Sequence, residues 1–188
     1  MRKVIYALNV SLDGYIEDAN GSLDWSVPDE ELHRYFNELD KEMDVNLYGR
    51  GLYEIMAGHW TTAHTNTSAP DYEIEYAHIW QNTPKVVFSR TLEKVGENAR
   101  LVRGNIAEEV KTLKAQPGKA MNVGGAGLAA SFMELDLIDE YQLLIHPVVL
   151  GDGKPMFGAD VKLNLRLVET RQFGSGVVLL RYERTNGN

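Results

Sequence analysis

A chain of 188 residues, 44% hydrophobic and 24% charged, has the length and composition of one soluble globular domain with a sizeable core. The net charge of −8 argues against nucleic acid or an anionic membrane as the main partner. The lack of cysteine excludes disulfides, thiol nucleophiles and thiolate metal sites. The start, Met1 to Leu8, is too short and too soon polar for a signal peptide, and no apolar run approaches membrane-spanning length, so a cytoplasmic protein is expected.

Val4 to Val10 reads as a first buried strand, followed by a loop with turn signals at Asp13-Gly14 and Asn20-Gly21. Pro28 with Asp29, Glu30 and Glu31 marks a helix start, and Leu32, Tyr35, Phe36 and Leu39 form its apolar face. Val45 to Tyr48 is a second strand ending at Gly49-Arg50-Gly51. The next helix should turn Leu52, Ile55 and Met56 inward, with a polar loop over 58–70 and a helix from Asp71 to Gln81. Lys85 to Ser89 and Ala99 to Arg103 are further strands, and Asn105 caps a helix over 106–115. Ile138 to Ile145 is another strand. After a Gly/Pro-broken loop, Lys162 to Gln172 and Val177 to Arg184 pair as a hairpin through Gly174-Ser175-Gly176. The order predicts a three-layer α/β/α domain over 1–188, with a mostly parallel sheet and an antiparallel C-terminal hairpin.

The chain is organised around residues 119–135. Ala120 to Val123 reads as a short buried strand, Gly124, Gly125 and Gly127 as a turn, and Leu128, Phe132 and Leu135 as one face of a helix. Glycines there let a ligand approach the backbone, and the free N–H groups of a helix start favour an anion such as a pyrophosphate. A tight turn with no ligand is the alternative. Gly125-Ala-Gly-Leu-Ala-Ala loosely fits a dinucleotide fingerprint, but it lies two-thirds along the chain, with too little sequence after it for a second parallel half. The Rossmann topology is therefore rejected.

Six segments in order carry a different resemblance: Ser11-Leu-Asp-Gly-Tyr-Ile, Leu47-Tyr-Gly-Arg-Gly-Leu-Tyr-Glu, Val87-Phe-Ser-Arg-Thr-Leu, Asn122-Val-Gly-Gly-Ala-Gly-Leu, Asp139-Glu-Tyr, and His146-Pro-Val-Val-Leu-Gly-Asp-Gly-Lys-Pro-Met-Phe. Together they resemble the dihydrofolate reductase-like superfamily, in the branch with the reductase domain of bacterial riboflavin biosynthesis. The resemblance implies NADPH as cofactor, held at Ala7 and at Gly124, Gly125, Ala126, Gly127 and Leu128. The residues agree with it: Gly49 and Arg50 form a second strand-to-helix junction with a cation, and Ser89 and Arg90 offer a hydroxyl and a guanidinium for a 2′-phosphate.

On the substrate side the resemblance aligns Trp25, Pro28 and Glu30 with the superfamily's Trp, Pro and proton-relaying carboxylate. It implies catalytic roles for Glu30 and Asp13 and substrate contacts for Trp25, Glu31 and Tyr53. An ordinary acidic helix start is the alternative for Asp29, Glu30 and Glu31. No Lys or Arg lies between Lys3 and Arg34 or between Arg50 and Lys85, and Thr83 stands about where folate reductases carry an Arg. An anionic substrate would be poorly paired, whereas His59, Trp60, His64, Tyr72, Tyr76 and Trp80 suit a flat, neutral heterocycle. The expected activity is NADPH-dependent reduction of a pteridine-, pyrimidine- or related small-molecule heterocycle. The alternatives are the 5-amino-6-(5-phosphoribosylamino)uracil reductase of riboflavin biosynthesis and a non-catalytic NADPH-binding sensor. No metal site, nucleic acid or membrane is expected, and the apolar C-terminal strands suggest a homodimer.

Overall fold

The structure is a computed structural model that describes residues 1–185, so the last three residues of the expected domain lie outside the described residues. Its elements are β1 (Val4–Ser11), β2 (Tyr15–Asp18), α1 (Glu30–Lys41), β3 (Met43–Gly49), α2 (Arg50–Ala63), α3 (Asp71–Asn82), β4 (Lys85–Phe88) and β5 (Ala99–Val102). They continue with α4 (Ile106–Ala115), β6 (Ala120–Gly124), α5 (Ala126–Glu134), β7 (Glu140–His146), β8 (Gly153–Pro155), β9 (Leu165–Gln172) and β10 (Val178–Arg184).

Eight strands form one sheet in the order β5-β4-β3-β6-β1-β7-β10-β9. The six from β5 to β7 run parallel, and β10 and β9 close the sheet antiparallel. Strand side chains alternate between faces. Val4, Tyr6, Val10, Leu47, Met121 and Val123 pack with α4 and α5 through Val110, Leu113, Leu128 and Phe132. The opposite face is more polar. There Ile5, Asn122 and Asn46 stand side by side in register, and α1 covers Leu144 and Leu179 with Leu32, Tyr35 and Phe36. The expected three-layer arrangement is the observed one.

Three local departures have physical causes. First, α2 runs on to Ala63, into the first part of the stretch 58–70 expected as a loop, because Trp60 stacks edge-on against Tyr76 of α3 at 4.6 Å and against His33 of α1 at 6.2 Å. Packing outweighs the weak helix preference of Gly58, Thr61 and Thr62. The same phase leaves Ile55 on the outside, 68% exposed, rather than inward. Second, β2 and β8, both read as loop, pair antiparallel as a two-stranded ribbon. Gly153 (φ +149°) allows it, since a Cβ there would sit 2.1 Å from the Glu17 carbonyl oxygen. Third, the apolar β10 is not an edge, being paired on both sides. The outer strand β9 exposes Arg166, Glu169 and Arg171, each in an ion pair, with Leu167 its exposed large hydrophobic. A charged edge of this kind discourages indiscriminate pairing.

Candidate functional site

The turn between β6 and α5 separates two cavities. Gly124, Gly125 and Ala126 line a cleft of about 390 Å³, together with Ala7 and residues of α1, α2 and α3. Gly127 and Leu128 line a second cavity of about 570 Å³, shared with Gly49, Ser89, Arg90 and Arg103. Of the ten residues expected to hold a cofactor, the structure thus gathers nine around this turn. Arg50 lies on the rim, exposed, with its guanidinium held by Glu54 at 3.1 Å and by Thr91 Oγ1 at 3.0 Å.

Of the five α-helices among the described residues, α1 and α4 have side-chain caps, whereas α3, which follows Pro70, and the two helices that start at the turn have none. Asp29 caps α1 by accepting from the Leu32 N–H, and Asn105 caps α4 by accepting from Ala107 and Glu108. Neither Gly49 at the start of α2 nor Gly125 at the start of α5 offers a side-chain acceptor. The two uncapped starts abut: a Cβ on Gly49 would lie 3.5 Å from that of Leu128. Gly125 needs its glycine identity for φ +93°, and a Cβ on Gly124 would meet Leu52 Cδ2 at 2.6 Å. Gly127 faces open space. Two sets of free N–H groups and two dipole ends therefore meet beside the open space at Gly127, which suits an anionic diphosphate. In the outer cavity, Arg103 is committed to the Arg90 and Leu92 carbonyls, at 2.9 and 2.6 Å. Among the described residues the Arg90 guanidinium has no ion pair. Ser89 Oγ accepts from the Thr91 and Leu92 N–H groups.

The 390 Å³ cleft has the opposite chemistry. Phe36, Leu39, Met56, Trp60 and Tyr76 supply apolar and aromatic walls, and no Lys or Arg lines it. His33 also faces it. Asn37 donates to the Tyr72 carbonyl and to Glu75, so its Oδ1 accepts from His33 Nδ1 at 3.2 Å, leaving His33 Nε2 as an acceptor in the neutral ring. Burial lowers the His33 pKa and favours that neutral form. Asp40, two turns further along the same face of α1, is 7% exposed and lines the same cleft. Burial pushes its carboxyl up to about 6, against the opposing hydrogen bond from Tyr76. Asn9 and Asn122, from adjacent strands, line the cleft with buried Oδ1 atoms that lack a partner.

The expected substrate-side residues lie elsewhere. Glu30 is on the solvent side of α1, its side chain 62% exposed and paired with Arg34 at 2.9 Å. Glu31 accepts from the Gly174 N–H at 2.8 Å and fastens the β9–β10 turn. Asp13 accepts from Ser11 Oγ, Leu150 N and Gly151 N, and these bonds hold its carboxyl down to about 2. It ties two loops together. Tyr53 is buried beneath the 92–96 segment, where its hydroxyl accepts from Gly96 N at 2.8 Å. Trp25 stands edge-on to His146 at 5.5 Å in a side pocket, while its neighbours Leu23, Ser26 and Pro28 border the cleft. Of the six aromatic residues expected around a heterocycle, Trp60 and Tyr76 line the cleft. Sequence reading missed His33, Asp40, Asn9 and Asn122. The signal for two of them was spacing: His33, Phe36 and Asp40 are at i, i+3 and i+7, one face of a helix.

The fold and its divided cleft define a dihydrofolate reductase-like α/β protein. A dihydrofolate reductase of Enterococcus faecalis, solved with NADP(H), superposes at a TM-score of 0.65 and 15% identity, over 98% of this chain and 97% of that one. A Shewanella sp. PV-4 protein assigned to riboflavin biosynthesis matches at 0.76 and 25% identity, over 99% and 100%. The Thermotoga maritima diaminohydroxyphosphoribosylaminopyrimidine deaminase/5-amino-6-(5-phosphoribosylamino)uracil reductase matches at 0.69 and 16%, over 98% of this chain and 57% of that one. Protein YyaP of Bacillus subtilis (strain 168) is 42% identical over 184 residues, 96% of this chain and 94% of its own. The RibD C-terminal domain family matches residues 2–179, and the chain belongs to that family.

Proposed function

We propose that the protein is an NADPH-dependent reductase of a small, uncharged nitrogen heterocycle, acting by direct hydride transfer. The observation that carries this reading is the pair of uncapped, abutting helix starts at Gly49 and Gly125, set between a cation-bearing cavity and an aromatic cleft. The residues fit the cofactor: Gly127 leaves open the space a diphosphate needs, and the N–H groups of α2 and α5 supply its donors. Arg90 and Ser89 would hold the 2′-phosphate that distinguishes NADPH from NADH. Bound there, the reduced nicotinamide supplies hydride. Ala7 and Gly124 to Ala126 border the cleft and would position the ring, while Phe36, Trp60 and Tyr76 orient the substrate and exclude water.

The family and the Shewanella match favour a second reading, reduction of a phosphoribosylated pyrimidine. That substrate carries a phosphate dianion, and the cleft offers it no Lys or Arg. A screen separates the two: NADPH oxidation is followed at its absorbance with uncharged pteridines and pyrimidines, and with their phosphorylated counterparts. Turnover of the uncharged set is expected, and turnover confined to the phosphorylated set would replace the first reading with the second. We also propose a homodimer, with the unpaired outer side of β9 as the edge two copies could share. Solution scattering at micromolar concentration should give twice the chain mass, and a monomer would remove the idea.

A further inference from the structure

A smaller cavity, of about 280 Å³, lies behind the cleft. Residues 23–29 are the wall between the two: Leu23, Ser26 and Pro28 border the cleft, whereas Trp25, Val27 and Asp29 line the cavity. Its other lining includes Leu32 of α1, His146 at the end of β7 and Ser175 of the β9–β10 turn. Among the described residues no Lys or Arg lines it, and the Asp29 carboxylate on its border accepts from the Leu32 N–H at 2.9 Å.

Two polar atoms of the lining residues are unpartnered. Trp25 Nε1 and His146 Nε2 are buried without a hydrogen bond, and His146 as a whole is 6% exposed. The rings stand edge-on with centroids 5.5 Å apart and do not pair with each other. A buried polar group without a partner is costly, and here two such groups belong to one cavity. The χ2 torsion of Trp and His is soft, so a small turn of either ring presents its nitrogen to that space. Burial lowers the His146 pKa against the pull of Asp29, which favours the neutral ring. A neutral ring with its proton on Nδ1 offers Nε2 as an acceptor.

The two nitrogens select a ligand by elimination. An indole N–H can only donate, so the ligand must bring an acceptor, and ammonium and guanidinium groups have none. A carboxylate has acceptors, but it would meet Asp29 with no cation to offset the charge. A hydroxyl has a single polar atom for groups on two separate rings. An amide carries an acceptor and a donor side by side. We propose that this cavity is a binding site, separate from the cleft, for a small uncharged amide such as a carboxamide, lactam or urea, whose carbonyl oxygen accepts from Trp25 Nε1 and whose N–H donates to His146 Nε2. Neither ring takes part in the reductase reading, so the two can fail separately.

The test uses the full chain, labelled with nitrogen-15, and three probes of nearly one shape: isobutyramide, isobutyrate and isobutyramidine, which are neutral, anionic and cationic. The 3 Trp residues give separate indole N–H signals in the NMR spectrum. Trp25→Phe identifies the Trp25 signal, and Trp60, which lines the cleft, is the control. Isobutyramide should shift the Trp25 signal saturably, in the millimolar range expected of so small a molecule, and leave Trp60 in place. The charged probes should bind at least tenfold more weakly. Trp25→Phe and His146→Phe each keep an aromatic ring and remove the nitrogen. Each should lose tenfold or more of the isobutyramide affinity read by saturation-transfer NMR, with the signal of the buried Trp80 unmoved as evidence of an intact fold. Isobutyramide affinity within twofold of wild type in either variant would overturn the proposal. So would no saturation in wild type, which leaves water alone in the cavity, a charged probe binding as tightly as the amide, or a shift at Trp60 in place of Trp25.

Discussion

The two halves of the cleft solve opposite electrostatic problems with opposite materials. On the side proposed for the cofactor the chain supplies positive potential mainly through its backbone, with uncapped helix ends and glycines with no Cβ in the way, and adds the Arg90 side chain at the outer end. On the substrate side it supplies acceptors and removes cations, inside aromatic walls. An anion is welcome on one side of Gly125 and repelled on the other. The division follows from topology, because α2 and α5 start at the sheet end where β3 and β6 stop, whereas α1 lies along the cleft with a side rather than an end toward it. Helix ends recognise by backbone, and helix sides recognise by residue.

The largest expected effect comes from spoiling the backbone side. Gly127→Asp adds a carboxylate at an uncapped helix start where nothing lies within 4 Å. Stability should hold or rise by up to about 1 kcal/mol, since an acid suits that position. NADPH affinity should fall by on the order of 100-fold by calorimetry, about 2.7 kcal/mol. Retained affinity would place the diphosphate elsewhere.

Asp40→Asn sharpens the other side through stability. Its carboxyl stands at about 6 in the fold against an ordinary aspartate value of 3.8 in the unfolded chain, so the native state holds the proton more tightly. Stability tied to this group is present below about pH 4 and declines as pH rises through about 6. The variant should therefore be more stable than wild type at pH 7.5, by on the order of 2–3 kcal/mol, with a flatter profile between those values. Denaturant unfolding at several pH values checks this, and an unchanged profile would mean that the carboxyl is solvated. Asp13 gives the reverse sign: its depressed pKa predicts stability lost as pH falls from about 4 to about 2.

Arg90→Ala should reduce NADPH affinity by roughly tenfold, about 1.4 kcal/mol, and leave NADH unchanged, which competitive titration resolves. The smallest effect belongs to Glu30→Gln. Arg34 keeps Asp71 at 2.8 Å, so stability should change by under about 0.5 kcal/mol and ring binding should not change.

The sequence placed the glycine turn more accurately than the residues of the aromatic cleft, for the same reason. Glycines at a strand-to-helix turn announce a backbone site, and Gly49 with Gly124 to Leu128 lie around the turn as expected. A helix side depends on phase. Glu30 carries the right chemistry on the first turn, but it sits about 80° round the helix from Asp40, enough to turn it toward Arg34 and solvent. Asp13 and Glu31 looked functional as charged loop and cap residues, and their carboxylates are instead spent on the N–H groups of Leu150, Gly151 and Gly174. The pairing of β2 with β8 joins residues far apart in the chain through strands of four and three residues, too short for any periodic signal.

The most direct test of a backbone-built cofactor site is thermal unfolding with NADPH, with NADH and with no ligand, at matched concentrations. Ligand at about 100 times its dissociation constant stabilises by about 2.7 kcal/mol, an upward shift of several degrees for a domain of this size. The expected result is a shift with NADPH well above that with NADH in wild type, and none with either in Gly127→Asp. No shift in wild type with either nucleotide would contradict it, and the glycine turn would then be architecture alone.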